Sequence, residues 1–162
     1  MIFSKKDIQE VLPADVTGRS VAHPKRWLVA LVRISHEKKV VERVLLPMMI
    51  FVHVDMYEQK EVLTLGSISR YMVLRGESTP AVIPDEQMHR FKFMLDYSDE
   101  AINMSTTPLS PGTKIKVIKG PLSGLQGELV TVNGKSKVAV RLTMLGCAFV
   151  DIPVGCVEPL EK

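Results

Sequence analysis

Histidines and cysteines are the side chains of this 162-residue chain best suited to metal binding or nucleophilic catalysis. The four histidines lie far apart, at His23, His36, His53 and His89. None stands at the spacing from Asp, Glu or Cys that a metal site or a catalytic triad requires. Cys147 and Cys156 have no histidine nearby, so a zinc site is not expected; a disulfide is one alternative, but two buried free thiols are favoured. We therefore expect no metal, no cofactor and no catalytic residue.

Two further sequence features have a simpler explanation than catalysis. Asp85-Glu86 begins a helix, where acidic side chains interact favourably with the positive end of the helix dipole. A pair of catalytic carboxylates is the less favoured interpretation. The glycines between positions 120 and 127 lie between strands, and because no helix follows them they do not form a phosphate-binding loop. The chain is therefore expected to bind other molecules and not to be an enzyme.

The composition indicates a folded, soluble protein that acts in the cytoplasm. Hydrophobic residues make up 46% and charged residues 24% of the chain. No apolar run reaches the roughly 18 residues of a membrane span, and an early acidic residue argues against a signal peptide. The net charge of +3 resides in the residues from Gly112 onward. This bias suits an acidic partner or a nucleic-acid backbone, and a solvated lysine face explains it equally well.

A pattern of short strands fills the chain from position 112 to its end. In the first strand lysines alternate with apolar residues, so one face is buried and the other is exposed. Gly120-Pro121 is a turn pair, and Asn133-Gly134 is a hairpin signal between two runs of alternating valines. The last strands are predicted at 148–152 and 154–157. Five short strands in so few residues predict a closed barrel, which has no exposed edge.

The order of these features resembles the KOW motif. A basic strand with Lys114 and Lys116 is followed by Gly120-Pro121-Leu122 and by the spaced glycines Gly124 and Gly127. That motif marks small SH3-like barrels in transcription elongation factors and in some ribosomal proteins. The resemblance implies a module that binds RNA or protein. The alternative is an unrelated small barrel that has the same kinds of turn.

Residues 98–111 divide the chain into two modules. Ser, Thr, Asn and Pro dominate this segment and apolar periodicity disappears, which is typical of a linker. Before it, strands are predicted at 27–33, 46–54 and 71–74, and helices at 4–12, at 57–65 and from Pro84, with Met88, Phe91, Met94 and Leu95 on one helix face. The near-continuous apolarity of 46–54 indicates a central strand covered on both faces. Strands and helices alternating over one sheet predict an α+β fold.

Four segments of the first module resemble the NusG family of transcription elongation factors, in which a ferredoxin-like NGN domain precedes a KOW barrel. They are Trp27-Leu-Val-Ala-Leu-Val, His36-Glu-Lys-Lys-Val, Pro47-Met-Met-Ile-Phe-Val and Val82-Ile-Pro-Asp-Glu-Gln. They resemble the opening strand, the start of the first helix, the "PGYVFV" strand and the entry to the last helix of the NGN domain. The closest pattern is that of paralogues that control surface-polysaccharide operons. The resemblance divides the chain into an extension (1–23), an NGN-like domain (24–97), a linker (98–111) and a KOW barrel (112–162).

The chain departs from the family's pattern in three places. Met48 and Met49 stand where the family has Gly and Tyr, and Leu145 stands where a Phe is common. Between His36 and Pro47 the family has a helix, a strand, a long loop and a second strand, whereas this chain has only residues 37–46. Two explanations stay open: the protein has lost an element, or residues are missing from the sequence near 36–39. The second is favoured because losing a strand would expose a sheet edge.

The family resemblance also implies partners and binding residues. It implies that an apolar face of the N-terminal domain docks on the clamp helices of RNA polymerase, with Trp27, Met49 and Phe51 at or near that face; burial of all three is the alternative. His53 is expected on the surface because it points away from its neighbours in the strand. The barrel is expected to bind the ribosome, Rho or another factor, with nucleic-acid contacts as a further expectation and no membrane contact. Its expected binding residues are Lys119, Gly120, Pro121 and Leu122 in one turn and Met144, Leu145 and Gly146 in another.

The sequence therefore predicts a transcription elongation or antitermination factor that links RNA polymerase to a second partner. The alternative is an RNA-binding KOW protein of the ribosomal type. Such proteins are usually far more basic than this chain, and they lack the N-terminal module.

Overall fold

The computed structural model describes residues 23–32, 45–107 and 109–160. The predicted helix at 4–12 and the shortened stretch at 37–44 lie outside these ranges. The chain forms two compact units, Met1–Val82 and Ile83–Lys162, which are described separately below. Within the described residues each unit contains an antiparallel sheet and one α-helix, so the predicted α+β class is confirmed. The boundary at 82/83 precedes the predicted linker by one helix, because that helix packs against a strand of the second unit.

The first unit is built around its first strand. Its elements are β1 (Arg26–Val32), β2 (Met49–Val54), α1 (Glu58–Thr64), β3 (Ile68–Tyr71) and the start of β4 (Val82–Ile83). The strand order is β2-β1-β3, and β4 also pairs with β1. Because β1 pairs with all the others, its apolar sequence from Trp27 onward lies at the centre of the sheet. The predicted strand at 27–33 and the predicted helix at 57–65 are both present, with slightly shorter bounds.

One face of the β1–β2 pair forms the core of this unit. Leu28, Ala30 and Val54 are buried there together with Ile68 and Tyr71 of β3. Val62 of α1 packs against the same cluster, so α1 covers this face of the sheet. Alternating side chains of β1 and β2 therefore point into the core, as the period of two in their sequences requires.

Two strand predictions are wrong in part. The run 46–54 was expected to form a central strand covered on both faces, but β2 lies at the end of the described strand order and most of its residues are only half-buried. A continuous apolar run does not distinguish a strand covered on both faces from a strand at the end of a sheet whose second face is partly exposed. The strand predicted at 71–74 ends at Tyr71, and Val73 makes only an isolated bridge to Pro80.

Reciprocal hydrogen bonds between Asp55 and Glu58 fix the start of α1. Oδ1 of Asp55 accepts from the backbone N–H groups of Tyr57 (2.7 Å) and Glu58 (2.9 Å), while Oε2 of Glu58 accepts from the Asp55 N–H (3.0 Å). This arrangement is a capping box. The backbone donors hold the pKa of the Asp55 carboxyl below its usual value. At the other side of α1, the Tyr71 hydroxyl donates to the Gln59 carbonyl at 2.9 Å, and burial raises the pKa of Tyr71 to about 12.

The second unit contains a helix and a six-stranded antiparallel sheet. Its elements are α2 (Asp85–Tyr97), β5 (Asn103–Ser105), β6 (Thr113–Val117), β7 (Gln126–Val132), β8 (Lys135–Leu142), β9 (Gly146–Asp151), a 3-10 turn (Val154–Cys156) and β10 (Val157–Pro159). The strand order is β10-β6-β7-β8-β9-β5. Strands β6 to β10 are the five strands of the predicted barrel. On α2, Met88, Phe91 and Met94 are buried as predicted, while Leu95 is half-buried.

The turns of the barrel follow the sequence prediction closely. Asn133 (φ 53°) and Gly134 (φ 75°) both adopt positive φ between β7 and β8, as a two-residue hairpin turn of type I′ requires. Ile115 and Val117 of β6 are buried, and Lys114 is exposed. The exception is the end of the chain, where 154–156 form a 3-10 turn and only β10 is a strand.

The segment predicted as a linker contributes a sixth strand. β5 pairs with β9 through Asn103↔Phe149, Met104↔Ala148 and Ser105↔Cys147. Composition misses this strand because Asn is depleted in strands and because its partner β9 lies far along the chain, where no local pattern indicates the pairing. Leu109, also in the predicted linker, packs against the cluster of Val130, Ala139, Cys147 and Phe149.

The backbone conformation at position 48 explains why a glycine would suit this position better than Met48. It has φ 59°, in the left-handed region, and its carbonyl accepts a hydrogen bond from the Val32 N–H at 2.9 Å. The Met48 side chain is 55% exposed, so it contributes little packing that could offset the backbone strain.

We predict that Met48→Gly stabilises the first unit by about 0.5–1 kcal/mol, because relief of left-handed strain exceeds the added entropy of the unfolded chain. Urea unfolding followed by the fluorescence of Trp27, the single tryptophan, measures this unit. Met49→Gly, one residue further along in β2, is the matched control and should destabilise the unit. A lower urea midpoint for Met48→Gly than for the unchanged chain would contradict the assignment of strain.

Candidate functional site

The second face of the β1–β2 pair gathers the residues expected to bind polymerase. Direct cross-strand pairs Trp27↔His53, Val29↔Phe51 and Leu31↔Met49 place these six side chains on one face, which we call the Trp27 face. Val29, in the middle of this face, is buried at 1% exposure, so the accessible part of the face lies around it. The rings of Trp27 and His53 stack, with centroids 4.6 Å apart and an interplanar angle of 15°. Among the expected residues, Trp27, Met49 and Phe51 are all half-buried, and His53 is exposed as predicted. The register thus brings Trp27 onto the same face as Met49 and Phe51, which lie 22 and 24 positions further along the chain.

A shallow depression continues the Trp27 face at the end of β1. Leu31, Pro47, Met48, Met49 and Arg70 contribute to its lining, with Val32 and Ser69. Leu31 was not among the predicted binding residues, although the period of two from Trp27 indicates it. Arg70 had no such signal, because a bulge in the β1–β3 pairing between Leu31 and Val32 decides where it lies.

The two predicted binding turns of the barrel lie at the same end of the β6–β9 meander, as the antiparallel order requires. Lys119, Gly120 and Pro121 are exposed. Leu122 and Leu145, however, are 7% and 3% exposed and belong to the barrel core. These two residues shape the turns from inside and are not accessible for direct contact. Accessible surface at this end therefore comes from Lys119, Gly120, Pro121 and, partly, from Met144 and Gly146.

Helix α2 contacts the barrel at this same end. The Oε1 atom of Gln87 accepts hydrogen bonds from the backbone N–H (2.7 Å) and the hydroxyl (3.0 Å) of Thr143, beside the β8–β9 turn. Arg90, which pairs with Glu86, also reaches Oε1 of Gln126 at 3.5 Å. Sequence reasoning missed these contacts, because it assigned α2 to the other module and no local pattern signals a hydrogen bond 56 residues away.

Glu128 and Arg141 form the most connected charged pair of the barrel. Arg141 donates from Nε to Oε1 (2.9 Å) and from Nη2 to Oε2 (2.8 Å) of Glu128, and also to the carbonyls of Leu109 (3.1 Å) and Ser110 (3.2 Å). Glu128 additionally accepts from the Gly112 N–H at 3.1 Å. The hydrogen bonds from Arg141 hold the pKa of the Glu128 carboxyl below its usual value. This pair therefore fastens the segment 109–112 to β7 and β8.

Most basic residues of the barrel strands face acidic ones. On β6, Lys114 lies directly opposite Glu128 and Lys116 lies opposite Glu158. Lys137 pairs with Asp151 and sits 5.3 Å from the centre of the Phe149 ring, and the hydrogen bond from Lys137 lowers the pKa of Asp151. Acidic residues are thus interspersed among the basic residues of these strands.

Both cysteines are free thiols as predicted, although only one of them is buried as expected. Cys147 is buried and Cys156 is half-buried, and neither is in a disulfide. Burial raises the pKa of the Cys147 thiol. Across the described residues, His, Cys, Asp and Glu nowhere form a group of three that could hold a metal ion. In the same part of the chain, the helices are too short and too polar to cross a membrane.

Comparison with known proteins identifies the family. A family model described as "Transcription termination factor nusG" matches residues 4–92, more than half of the chain. The chain belongs to the NusG family. No curated protein sequence matches it. A solved structure concerning domain interaction in Thermotoga maritima NusG is 15% identical, with a TM-score of 0.44, and the match covers 85% of this chain and 98% of that one.

Family membership confirms the resemblance drawn from the four segments of the first module. All four lie within the matched residues 4–92. Because NusG proteins are transcription factors whose members bind RNA polymerase, the chain is a NusG-like transcription factor.

We predict that Glu128→Gln destabilises the barrel at pH 7 by about 1–2 kcal/mol, the value for a charge-assisted hydrogen-bonded pair reduced for solvent screening of the 35% exposed Arg141. Because the folded pKa of Glu128 lies below its unfolded value near 4.5, its stabilising effect is present above that value and is lost as the pH falls through the folded pKa. Hydrogen exchange of β7 and β8 amides at pH 7, and at a series of pH values falling below 4.5, measures both effects. Glu158→Gln, on exposed β10, is the control; an equal effect of the two variants would contradict the special role of Glu128.

Proposed function

We propose that this NusG-family chain is an elongation or antitermination factor that binds the RNA polymerase clamp helices through the Trp27 face. The observation that carries this proposal is the β1–β2 register. It sends one set of side chains into the core of the first unit and presents Trp27, Met49, Phe51 and His53 on the opposite face. By bridging the polymerase across its cleft, the bound factor would oppose clamp opening and suppress pausing, since a ligand favours the state that it binds better.

The chemistry of the Trp27 face supports a protein partner. Half-buried aromatic and methionine side chains provide apolar contact area, and methionine adapts to irregular surfaces. The neighbouring depression adds Leu31 and the exposed Met48, with Arg70 at its border. An apolar centre with an arginine at the rim is typical of protein–protein interfaces.

For the barrel we propose a second protein partner, such as a ribosomal protein, Rho or another transcription factor. The accessible residues Lys119, Gly120 and Pro121 and the half-buried Met144 lie at one end of the meander. The alternative is a ribosomal-type KOW protein that binds RNA through the barrel. Glu128 and Glu158 lie opposite Lys114 and Lys116 on the neighbouring strands, and this favours the protein partner because nearby carboxylates lower the positive potential that attracts an RNA phosphate backbone. The NusG family is a family of transcription factors and not of enzymes, which supports a non-enzymatic role.

We predict that Phe51→Glu weakens binding of the full chain to core RNA polymerase by at least about tenfold, the effect of losing one apolar anchor of an interface. His53→Glu, at an exposed position of the same face, should weaken binding in the same direction with less effect on folding. Binding is measured by biolayer interferometry with immobilised polymerase, and folding by the urea midpoint of Trp27 fluorescence.

Leu63→Glu provides the matched control for this experiment. Leu63 is 46% exposed on α1, which covers the opposite face of the sheet, and the substitution introduces the same charge. The proposal predicts unchanged polymerase binding for this variant. It would be refuted if both Trp27-face variants bound polymerase normally, or if Leu63→Glu weakened binding as much as they do.

We further predict that the full chain shortens pauses in single-round transcription by purified polymerase, because it stabilises the closed clamp. Pause half-lives are measured with unchanged chain, with His53→Glu and with Leu63→Glu at equal concentrations. The unchanged chain and Leu63→Glu should shorten pauses, whereas His53→Glu should leave them near the level without factor. Strong RNA binding by the chain with no effect on pausing would support the ribosomal-type alternative.

A further inference from the structure

A bulge in β3 turns two polar residues away from the core of the first unit. Ile68 and Tyr71 are both 4% exposed and belong to the core. Residues three apart in a regular strand point to opposite faces, so both can face the core only if the strand contains one extra residue between them. The pairing with β1 supplies that residue, because it passes from Arg70 to Ile68 and skips Ser69. Ser69 and Arg70 are both exposed as a result.

Arg70 lies beside the apolar part of the Trp27 face. It pairs with Leu31 of β1, which pairs with Met49 of β2, so these three side chains form one row across the sheet. Both residues of the bulge also line the shallow depression at the end of β1, whose other lining residues are the apolar Leu31, Val32, Pro47, Met48 and Met49. The bulge therefore brings a cation and a hydroxyl to an otherwise apolar depression.

The Arg70 guanidinium has no acidic partner among the residues that the structure describes. The described residues that line the depression include no Asp or Glu. By contrast, Lys25 of the same unit pairs with Glu58 at 2.8 Å. An apolar partner segment that covered the depression would remove water from the charge of Arg70, which costs free energy unless that segment supplies an acceptor. The depression therefore favours a partner that carries a negative group at this point.

We propose that Arg70 binds a carboxylate of the polymerase segment that docks on the Trp27 face, while an apolar side chain of that segment fills the depression. This contact rests on the function proposed above and adds the chemistry of the partner, which is an apolar segment with an aspartate or glutamate at its border. A guanidinium donates two parallel hydrogen bonds to a carboxylate, and this geometry makes Arg70 a determinant of specificity. The Ser69 hydroxyl is a further donor in the same lining.

The experiment measures the affinity of the full chain for core RNA polymerase without nucleic acid, at a series of salt concentrations. Arg70→Gln should weaken binding by about tenfold at low salt and make the affinity less dependent on salt, because one charged contact is lost. Arg70→Lys keeps the charge but not the paired hydrogen bonds, so it should recover only part of the affinity. Arg75→Gln, which removes an exposed arginine from the loop after β3, is the matched control and should bind like the unchanged chain. The urea midpoint of Trp27 fluorescence should be the same for all these chains.

Phe51→Glu and His53→Glu distinguish a failure of this contact from a failure of the proposed function. If both bind polymerase normally, the proposed function fails and the Arg70 contact fails with it. If both lose binding while Arg70→Gln keeps the affinity and salt dependence of the unchanged chain, only the Arg70 contact is overturned. Equal losses in Arg70→Gln and Arg75→Gln would also overturn it, since they would show a general effect of charge. So would an effect of Arg70→Gln seen only with transcribing complexes, because the partner of Arg70 would then be a nucleic-acid phosphate.

Discussion

The pairing of β1 with β2 is the interaction on which the proposed function of this chain depends. Side chains alternate along both strands, so a single register decides which residues form the core and which form the Trp27 face. The register is fixed because Leu28, Ala30 and Val54 are buried with Ile68 and Tyr71. A shift by one residue would place Trp27 and Phe51 in the core and expose the core residues. Folding of the first unit and formation of the Trp27 face are therefore one event.

In the second unit, charged hydrogen bonds extend the barrel beyond its five strands. Arg141 holds the carbonyls of Leu109 and Ser110, and Glu128 holds the Gly112 N–H, so the chain before β6 lies against β7 and β8. Together with β5 on β9, these contacts make most of the predicted linker a part of the barrel. The polar composition of residues 98–111 therefore does not by itself show a flexible tether between two modules. The length of such a tether would set the effective concentration of the second contact.

The sequence predicts the elements whose signals are local. Alternating lysines and apolar residues identify β6, Asn133-Gly134 identifies the hairpin between β7 and β8, and Pro84 with two acidic residues identifies the start of α2. The family resemblance placed Trp27, Met49 and Phe51 in one binding region, and the strand register brings these residues to one face. What the sequence does not reveal depends on distant partners. The position of β2 at the end of the described strand order, the pairing of β5, the contact of Gln87 with Thr143 and the burial of Leu122 and Leu145 are all decided by residues far away in the chain.

Site-specific photo-crosslinking most directly tests polymerase binding through the Trp27 face. A benzophenone side chain is introduced either at position 53, exposed on this face, or at position 63, exposed on α1 over the opposite face. Each full-length variant is irradiated in complex with transcribing RNA polymerase, and the crosslinked subunit is identified. The account predicts that position 53 crosslinks to the subunit that carries the clamp helices and that position 63 does not. Crosslinking from position 63 alone, or equally from both positions, would contradict it.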